Sequence, residues 1–281
     1  MSLWKKTAVV AVSALTALAA SACGVATGSS GSSDAPKQPS VLELLASDLK
    51  GSLQKTMDTT DKSDSVTLTM TGTAGGQKIS MQGVLDLGDP VKAEMTMADP
   101  TDGPTVVRLI GTAFYVEVPA KNRATMGGKR WLKMDMGSIG QQAGMDFGKQ
   151  FEDIDPTKQV KTLLASEGVT VVGEETVNGA KTVHYTVTTP VATQLAQVDA
   201  KLRAGVEKQF AAAGVKEVKI DLWVDEQYRP RRAGTKMGTM GDVLVDYTDY
   251  GKPVSIETPP AAETTDFAEM LQGLKGLGTD N

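Results

Sequence analysis

The sequence predicts a mainly β fold with a few helices, of the α+β class. Three observations carry that expectation. Between residues 66 and 250, short runs alternate apolar and polar residues, which is the period of half-buried antiparallel strands. Gly, Pro and Asn-Gly signals separate those runs at hairpin spacing. Helical spacing of apolar residues is confined to segments near 41–57, 156–165 and 190–213.

The chain opens with Lys5 and Lys6, then an apolar run over residues 7–22 interrupted by Thr7, Ser13, Thr16 and Ser21. That is the pattern of a signal peptide. The only cysteine, Cys23, follows Ala20, Ser21 and Ala22 and precedes Gly24, so the junction resembles a bacterial lipobox, with Ala20 where leucine is preferred. The resemblance implies removal of residues 1–22 by cleavage after Ala22, a diacylglyceryl group on the Cys23 thiol, and acylation of the new terminal amine. No other cofactor is expected. Two other readings compete: a membrane-spanning helix, which needs about 20 apolar residues, and an ordinary secretory cleavage that releases the protein. Two or more acyl chains anchor stably where one does not, so the expected location is the extracytoplasmic face of a cell membrane.

The formal net charge is −5, and loss of Lys5 and Lys6 with the leader makes it two units more negative. An acidic chain whose one dense basic cluster is Arg229, Arg231 and Arg232 argues against nucleic acid, which is bound mainly by phosphate neutralisation. One cysteine permits no intramolecular disulfide, so stability must come from a core.

Residues 23–40 are rich in Gly, Ser, Ala and Pro and read as a flexible tether. The folded domain is expected over 41–258. Ser40 and Glu43 form a capping-box pattern ahead of Val41, Leu42, Leu45, Leu49 and Leu53, a first amphipathic helix. Alternation then runs through Val66, Leu68 and Met70; Ile79, Met81, Leu85 and Leu87 after Gly75–Gly76; and Ala93, Met95 and Met97 after Asp89–Pro90. Strands continue over 106–110, 114–118 and 131–134. A break at 137–165 holds a short helix after Pro156. The hairpin around Asn178–Gly179 restarts the strands, a helical pattern runs from Pro190 to about Ala213 with an interruption expected at Gly205, and Val218, Ile220, Leu222 and Val224 alternate strictly with polar neighbours. Further strands are expected over 231–238 and 242–250. Pro259–Pro260 is expected to end the domain, leaving 259–281 as a weakly ordered tail.

Four stretches resemble the LolA/LppX-like envelope lipoproteins of the LppX/LprG type. They are Asp221-Leu222-Trp223-Val224-Asp225-Glu226-Gln227-Tyr228-Arg229-Pro230; the run from Gly173 through Asn178–Gly179 to His184-Tyr185; Lys129-Arg130-Trp131-Leu132-Lys133; and Tyr247-Thr248-Asp249-Tyr250-Gly251-Lys252-Pro253-Val254. The resemblance implies a strongly curved antiparallel half-barrel of the LolA/LolB kind, helices packed in its concavity, and a hydrophobic cavity that binds or carries lipids or lipidated molecules.

Met70, Met81, Met95 and Met97 fall at the inward positions of neighbouring strands, and flexible thioethers suit a surface that must adapt to varied acyl chains. Ordinary core filling is the competing reading for each. No catalytic set stands out. His184 is the only histidine, no Gly-x-Ser-x-Gly elbow is present, and one imidazole without cysteine makes a poor zinc site. The expectation is therefore a non-enzymatic, membrane-anchored lipoprotein whose partners are membrane lipid, a lipid or lipidated ligand and an unidentified envelope protein. Two alternatives stand beside it: an envelope scaffold or signalling accessory without a lipid ligand, and, more weakly, a secreted hydrolase built around His184.

Overall fold

The computed structural model describes residues 39–98, 103–137, 156–196, 198 and 200–270. Cys23, Ala22, the leader, the expected tether up to residue 38, residues 138–155 and the last part of the expected tail lie outside them. Twelve strands form one curved, unclosed sheet. Strands β1 (Ser65–Ala74), β2 (Gln77–Asp86), β3 (Lys92–Met97), β4 (Thr105–Ile110), β5 (Ala113–Glu117) and β6 (Trp131–Asp135) run as a meander away from β1. On its other side β1 pairs with β11 (Gly241–Thr248), and the sheet continues through β10 (Pro230–Lys236), β9 (Glu217–Asp225), β8 (Ala180–Pro190) and β7 (Thr170–Val177). Asn178 (φ 49°) and Gly179 (φ 81°) make the β7–β8 turn, and positive φ at both central residues is the geometry that matches strand twist in a two-residue hairpin.

The period-2 pattern sends two sets of side chains to opposite faces. Across the inner face, register aligns Val183 with Val224, Tyr185 with Leu222, Leu222 with Ala233, Ala233 with Val245, Met70 with Met81, and Leu85 with Ala93. Helices α1 (Val41–Ser47), α2 (Leu49–Thr60), α3 (Pro156–Ala165), α4 (Val191–Leu195) and α5 (Ala200–Ala212) supply its cover. The principal helix–sheet contacts fall on β7–β10, while α2 packs on α3. Leu42, Leu45, Leu53, Val160 and Leu163 from the helices join Val183, Tyr185, Leu222 and Val224 in the core, and the Tyr185 hydroxyl donates to the Leu45 carbonyl at 2.7 Å.

Three segments differ from the sequence expectation. The first helix is two: Asp48 leaves helical geometry (φ −114°, ψ 75°), and its carboxylate accepts from the Gly51 N–H, so it caps α2. Gly205 lies inside α5 and does not interrupt it, because a glycine lowers helix propensity by only about 1 kcal/mol and does not stop the backbone ladder; the pattern is instead divided between α4, which ends at Leu195, and α5, which begins at Ala200. The chain past Pro260 is not loose tail at its start: Thr264–Asp266 form β12, parallel to β6. The edge of β6 would otherwise leave backbone groups without partners, and the Arg130 N–H donates to the Glu263 carbonyl beside it. The segment leading there crosses the outer face, held by Ser65 Oγ on the Lys252 carbonyl and by Arg108 Nη1 on the Glu257 carbonyl. Tyr115 and Trp131 are buried on that outer side.

Candidate functional site: an apolar floor open at one end

Strands β1–β6 carry a second apolar surface that the helices cover only in part. Near the ends of β1 and β2 that join α2 and β3, Val66, Leu68, Leu85, Ala93 and Leu109 are buried at 2% exposure or less. Toward the opposite end the same face opens. Met70 pairs with Met81, Met81 with Met97, and Gly83 with Met95. Met70, Met81 and Met95 are half-buried and Met97 is 41% exposed. The four methionines therefore form one contiguous patch, and none of them has the burial of the adjacent core. Val107, Val116, Leu132, Phe114 and Met134, half-buried, extend the same face across β4–β6.

Glycine shapes this floor. A Cβ on Gly83 would strike the Glu94 carbonyl and reach within 2.6 Å of the Met95 sulfur, so the missing side chain lets the Met95 thioether lie against the sheet. The result is an apolar surface rich in methionine, whose unbranched side chains adapt to different shapes at low rotamer cost.

The outer face carries the polar groups. His184 is buried between two carboxylates: Nδ1 is 2.9 Å from Glu175 Oε1 and Nε2 is 2.9 Å from Asp221 Oδ1. Its ring stacks on Trp223 at 4.1 Å between centroids, and Trp223 Nε1–H donates to Glu175 Oε2 at 2.7 Å. The hydrogen bonds from Trp223 and then His184 hold the Glu175 carboxyl below its ordinary range. Burial pushes Asp221 up, but bonds from Thr186, His184 and Lys219 together outweigh it and hold that carboxyl low. Both imidazole nitrogens are engaged by acids, so neither faces a hydroxyl nucleophile. That arrangement orders three strands and does not resemble a hydrolytic triad.

The conspicuous stretch 221–230 is also structural. Asp225 is buried and accepts from the Gln227 and Arg229 N–H groups at 2.9 and 3.0 Å, from Arg229 Nη2 at 3.2 Å and from Arg231 Nε at 2.6 Å. Tyr228 takes a left-handed backbone (φ 57°) at the turn, and Lys55 Nζ of α2 lies 4.0 Å from its ring centroid. One buried carboxylate thus closes the β9–β10 turn and serves two arginines of the basic cluster. Among the described residues no group of three His, Cys, Asp or Glu is arranged to hold a metal ion, and no helix is long and apolar enough to cross a membrane.

The sequence singles out the four methionines, and the structure brings them together. What the alternation does not reveal is that the floor closes toward one end and opens toward the other, because burial along a strand depends on where the helices stop. The Glu175–His184–Asp221 bridge is equally hidden, since its members sit on three strands; its one sequence signal is the alternation that places all three on the outward face.

No protein-family model matches the chain. Over 181 residues, 61% of this chain and 59% of the relative, it is 34% identical to an uncharacterised 31.2 kDa protein of Streptomyces griseus. The match therefore spans less than two thirds of that protein's length. Over 220 residues, 71% of this chain and 68% of the relative, it is 29% identical to a candidate lipoprotein of Streptomyces coelicolor. Among solved structures, the lipoprotein LppX of Mycobacterium tuberculosis superposes with a TM-score of 0.51 at 15% identity, covering 75% of this chain and 98% of LppX. LprF of Mycobacterium bovis gives 0.50 at 16% identity, covering 76% and 98%. The chain has the fold of these mycobacterial lipoproteins.

Proposed function

We propose that the protein is a non-enzymatic lipoprotein, anchored through Cys23 to the extracytoplasmic face of a membrane, that binds the acyl chains of a lipid or lipidated molecule on the floor formed by Met70, Met81, Met95 and Met97. The observation that carries this reading is the change of burial along one apolar face, from closed core at Leu85 and Ala93 to exposed thioether at Met97. A contiguous apolar surface left partly open to solvent is a feature that ligand-binding grooves share. Each methylene moved out of water contributes about 0.8 kcal/mol, but a chain taken from a bilayer is already out of water. Only closer packing than lipid offers drives that transfer, and adaptable thioethers supply it.

Filling the floor tests the reading. Met81→Trp and Met95→Trp add volume without charge, so uptake of a fluorescent fatty-acyl probe should fall while thermal stability holds or rises. In a close-packed core the same changes would cost about 1–3 kcal/mol. Destabilisation of both variants, with no probe uptake by the parent, would favour a scaffold or signalling accessory. Membrane anchoring is tested separately by Cys23→Ala, which should shift the protein from the membrane to the soluble fraction.

A further inference from the structure

The methionine floor contains a cluster of sulfur atoms that apolar filling alone does not require. Four of the chain's 13 methionines fall on three neighbouring strands, whereas inward positions of β8 and β9 hold Val183, Tyr185, Leu222 and Val224. Met81 stands at the centre of the group. It is directly opposite Met70 on one side and Met97 on the other, and Met95, opposite Gly83, is its diagonal neighbour. Directly opposed residues have Cβ atoms about 4.5–5.5 Å apart, and diagonal ones, at about 7–8 Å, remain within reach of long side chains. A methionine sulfur lies two bonds beyond Cβ on a chain of rotatable bonds, so the thioethers of Met81, Met95 and Met97 can converge on one point.

Glycine and burial fix the arrangement further. A Cβ on Gly83 would come within 2.6 Å of the Met95 sulfur, so that sulfur lies over β2, on the face of Met81 and beside it along the strand. Met81 and Met95 are half-buried, while Met97, 41% exposed, leaves the group open to water. Among the described residues, the inward positions of β1–β4 supply no carboxylate. Glu94 alternates with Ala93 and Met95, faces outward and accepts from Arg108 Nε at 2.6 Å. Imidazole does not contribute either, because His184, the only histidine, lies on the outer face between Glu175 and Asp221. The donor set is therefore three neutral thioethers, with water at the open side.

Thioethers are soft donors and suit soft, closed-shell monovalent ions, whereas magnesium and calcium need oxygen and zinc draws on thiolate, imidazole or carboxylate. We infer that Met81, Met95 and Met97 form a binding site for Cu(I), flanked by Met70, for which Ag(I) is a redox-inert stand-in. A cation wholly buried without an anion meets a prohibitive desolvation cost. The exposed side at Met97 relieves that cost by keeping one coordination position in water. The site does not depend on the acyl-chain reading, because coordination needs sulfur, whereas acyl packing needs only an apolar surface.

The test uses the full chain carrying Cys23→Ala, so that the thiol cannot take the metal, with silver nitrate in chloride-free buffer. Calorimetry should show one tightly held Ag(I) per chain; Cu(I) under anaerobic conditions should displace it, and Zn(II) should not. With methionines carbon-13-labelled at the ε-methyl group, Ag(I) should move the signals of Met81, Met95 and Met97 and leave that of Met57, in α2, in place. Met81→Leu, Met95→Leu and Met97→Leu together conserve volume and apolarity, so the melting temperature should hold. Ag(I) affinity should fall about ten-fold or more, since replacing even a residue that only supports a metal ligand has an effect of that size. Met97→Leu alone, at the exposed rim where it does not threaten folding, should weaken binding in the same direction. Affinity unchanged in the leucine variants, displacement by Zn(II), or signals that shift equally at all methionines would overturn the site. Acyl-probe uptake without Ag(I) binding would overturn this site alone, and Ag(I) binding without probe uptake would overturn the acyl-chain reading alone.

Discussion

The two halves of the sheet use the same alternating grammar and bury it differently. In β7–β10 the inward residues Val183, Tyr185, Leu222 and Val224 are fully buried beneath helices, and their outward neighbours Asp221 and Asp225 are buried too, because carboxylate networks close over them. In β1–β6 the inward face begins as core at Val66 and Leu85 and ends at Met97 in solvent. One half has a closed interior and a ligated exterior; the other has an interior left partly open. Identical periodicity therefore specifies which face is apolar, and the placement of helices decides whether that face becomes core or binding surface.

The largest effect that would break this contrast comes from emptying the closed half. Leu53→Ala or Leu163→Ala removes a side chain buried between helices and sheet, and each should cost about 2–5 kcal/mol in a denaturant midpoint experiment. Met81→Ala in the open half should cost well under half of that while reducing acyl-probe affinity. Equal costs would mean that the floor is ordinary core.

Next comes charge on the floor. Met70→Lys with Met97→Lys places ammonium groups on a half-exposed face where they can reach water, so probe affinity should fall at least ten-fold, by roughly 1.4 kcal/mol for each factor of ten, with folding retained by circular dichroism. The same substitution at Leu222 in the closed half should abolish folding, because an unpaired buried charge has no outlet.

The outer face of the closed half should show a pH signature. Glu175 and Asp221 have carboxyls held below their ordinary ranges, so their contribution to stability is fully present above the unfolded values, near pH 4, and is lost as pH falls through the lower folded ones. His184→Ala removes a partner from both acids, so the variant should lose less stability than the parent over that acidic window, starting from a baseline about 1–3 kcal/mol lower at neutral pH. Urea titrations at several pH values measure both quantities.

The smallest effect concerns the cover itself. Gly205 sits in α5, where an added Cβ would meet nothing within 4 Å, so Gly205→Ala should stabilise by about 0.5–1 kcal/mol without altering probe uptake. A change in uptake would place α5 over the open floor.

The secondary structure is largely legible in the sequence because strand and turn signals are local. Asn178–Gly179 needs only its own backbone preferences to make a hairpin, and Val218, Ile220, Leu222 and Val224 declare a face by spacing alone. The sequence misleads where a local signal competes with a partner distant along the chain. Pro259–Pro260 reads as an end, yet the edge of β6, more than a hundred residues earlier, offers unpaired backbone groups that recruit Thr264–Asp266. Asp48 looks like an ordinary residue of one long helix, but its carboxylate caps a second helix at Gly51.

By itself the sequence determined the α+β class, the inward position of the four methionines and the polar face opposite Val218, Ile220, Leu222 and Val224, since these follow from a period of two along each strand. Only the tertiary structure decided that Glu175 and Asp221 bridge His184, that Asp225 closes its turn on two arginines, and that the methionine floor is closed core at one end and open at the other. Each of those depends on register between strands or on where a helix stops. Long-range pairing sets both, and no local residue preference encodes it.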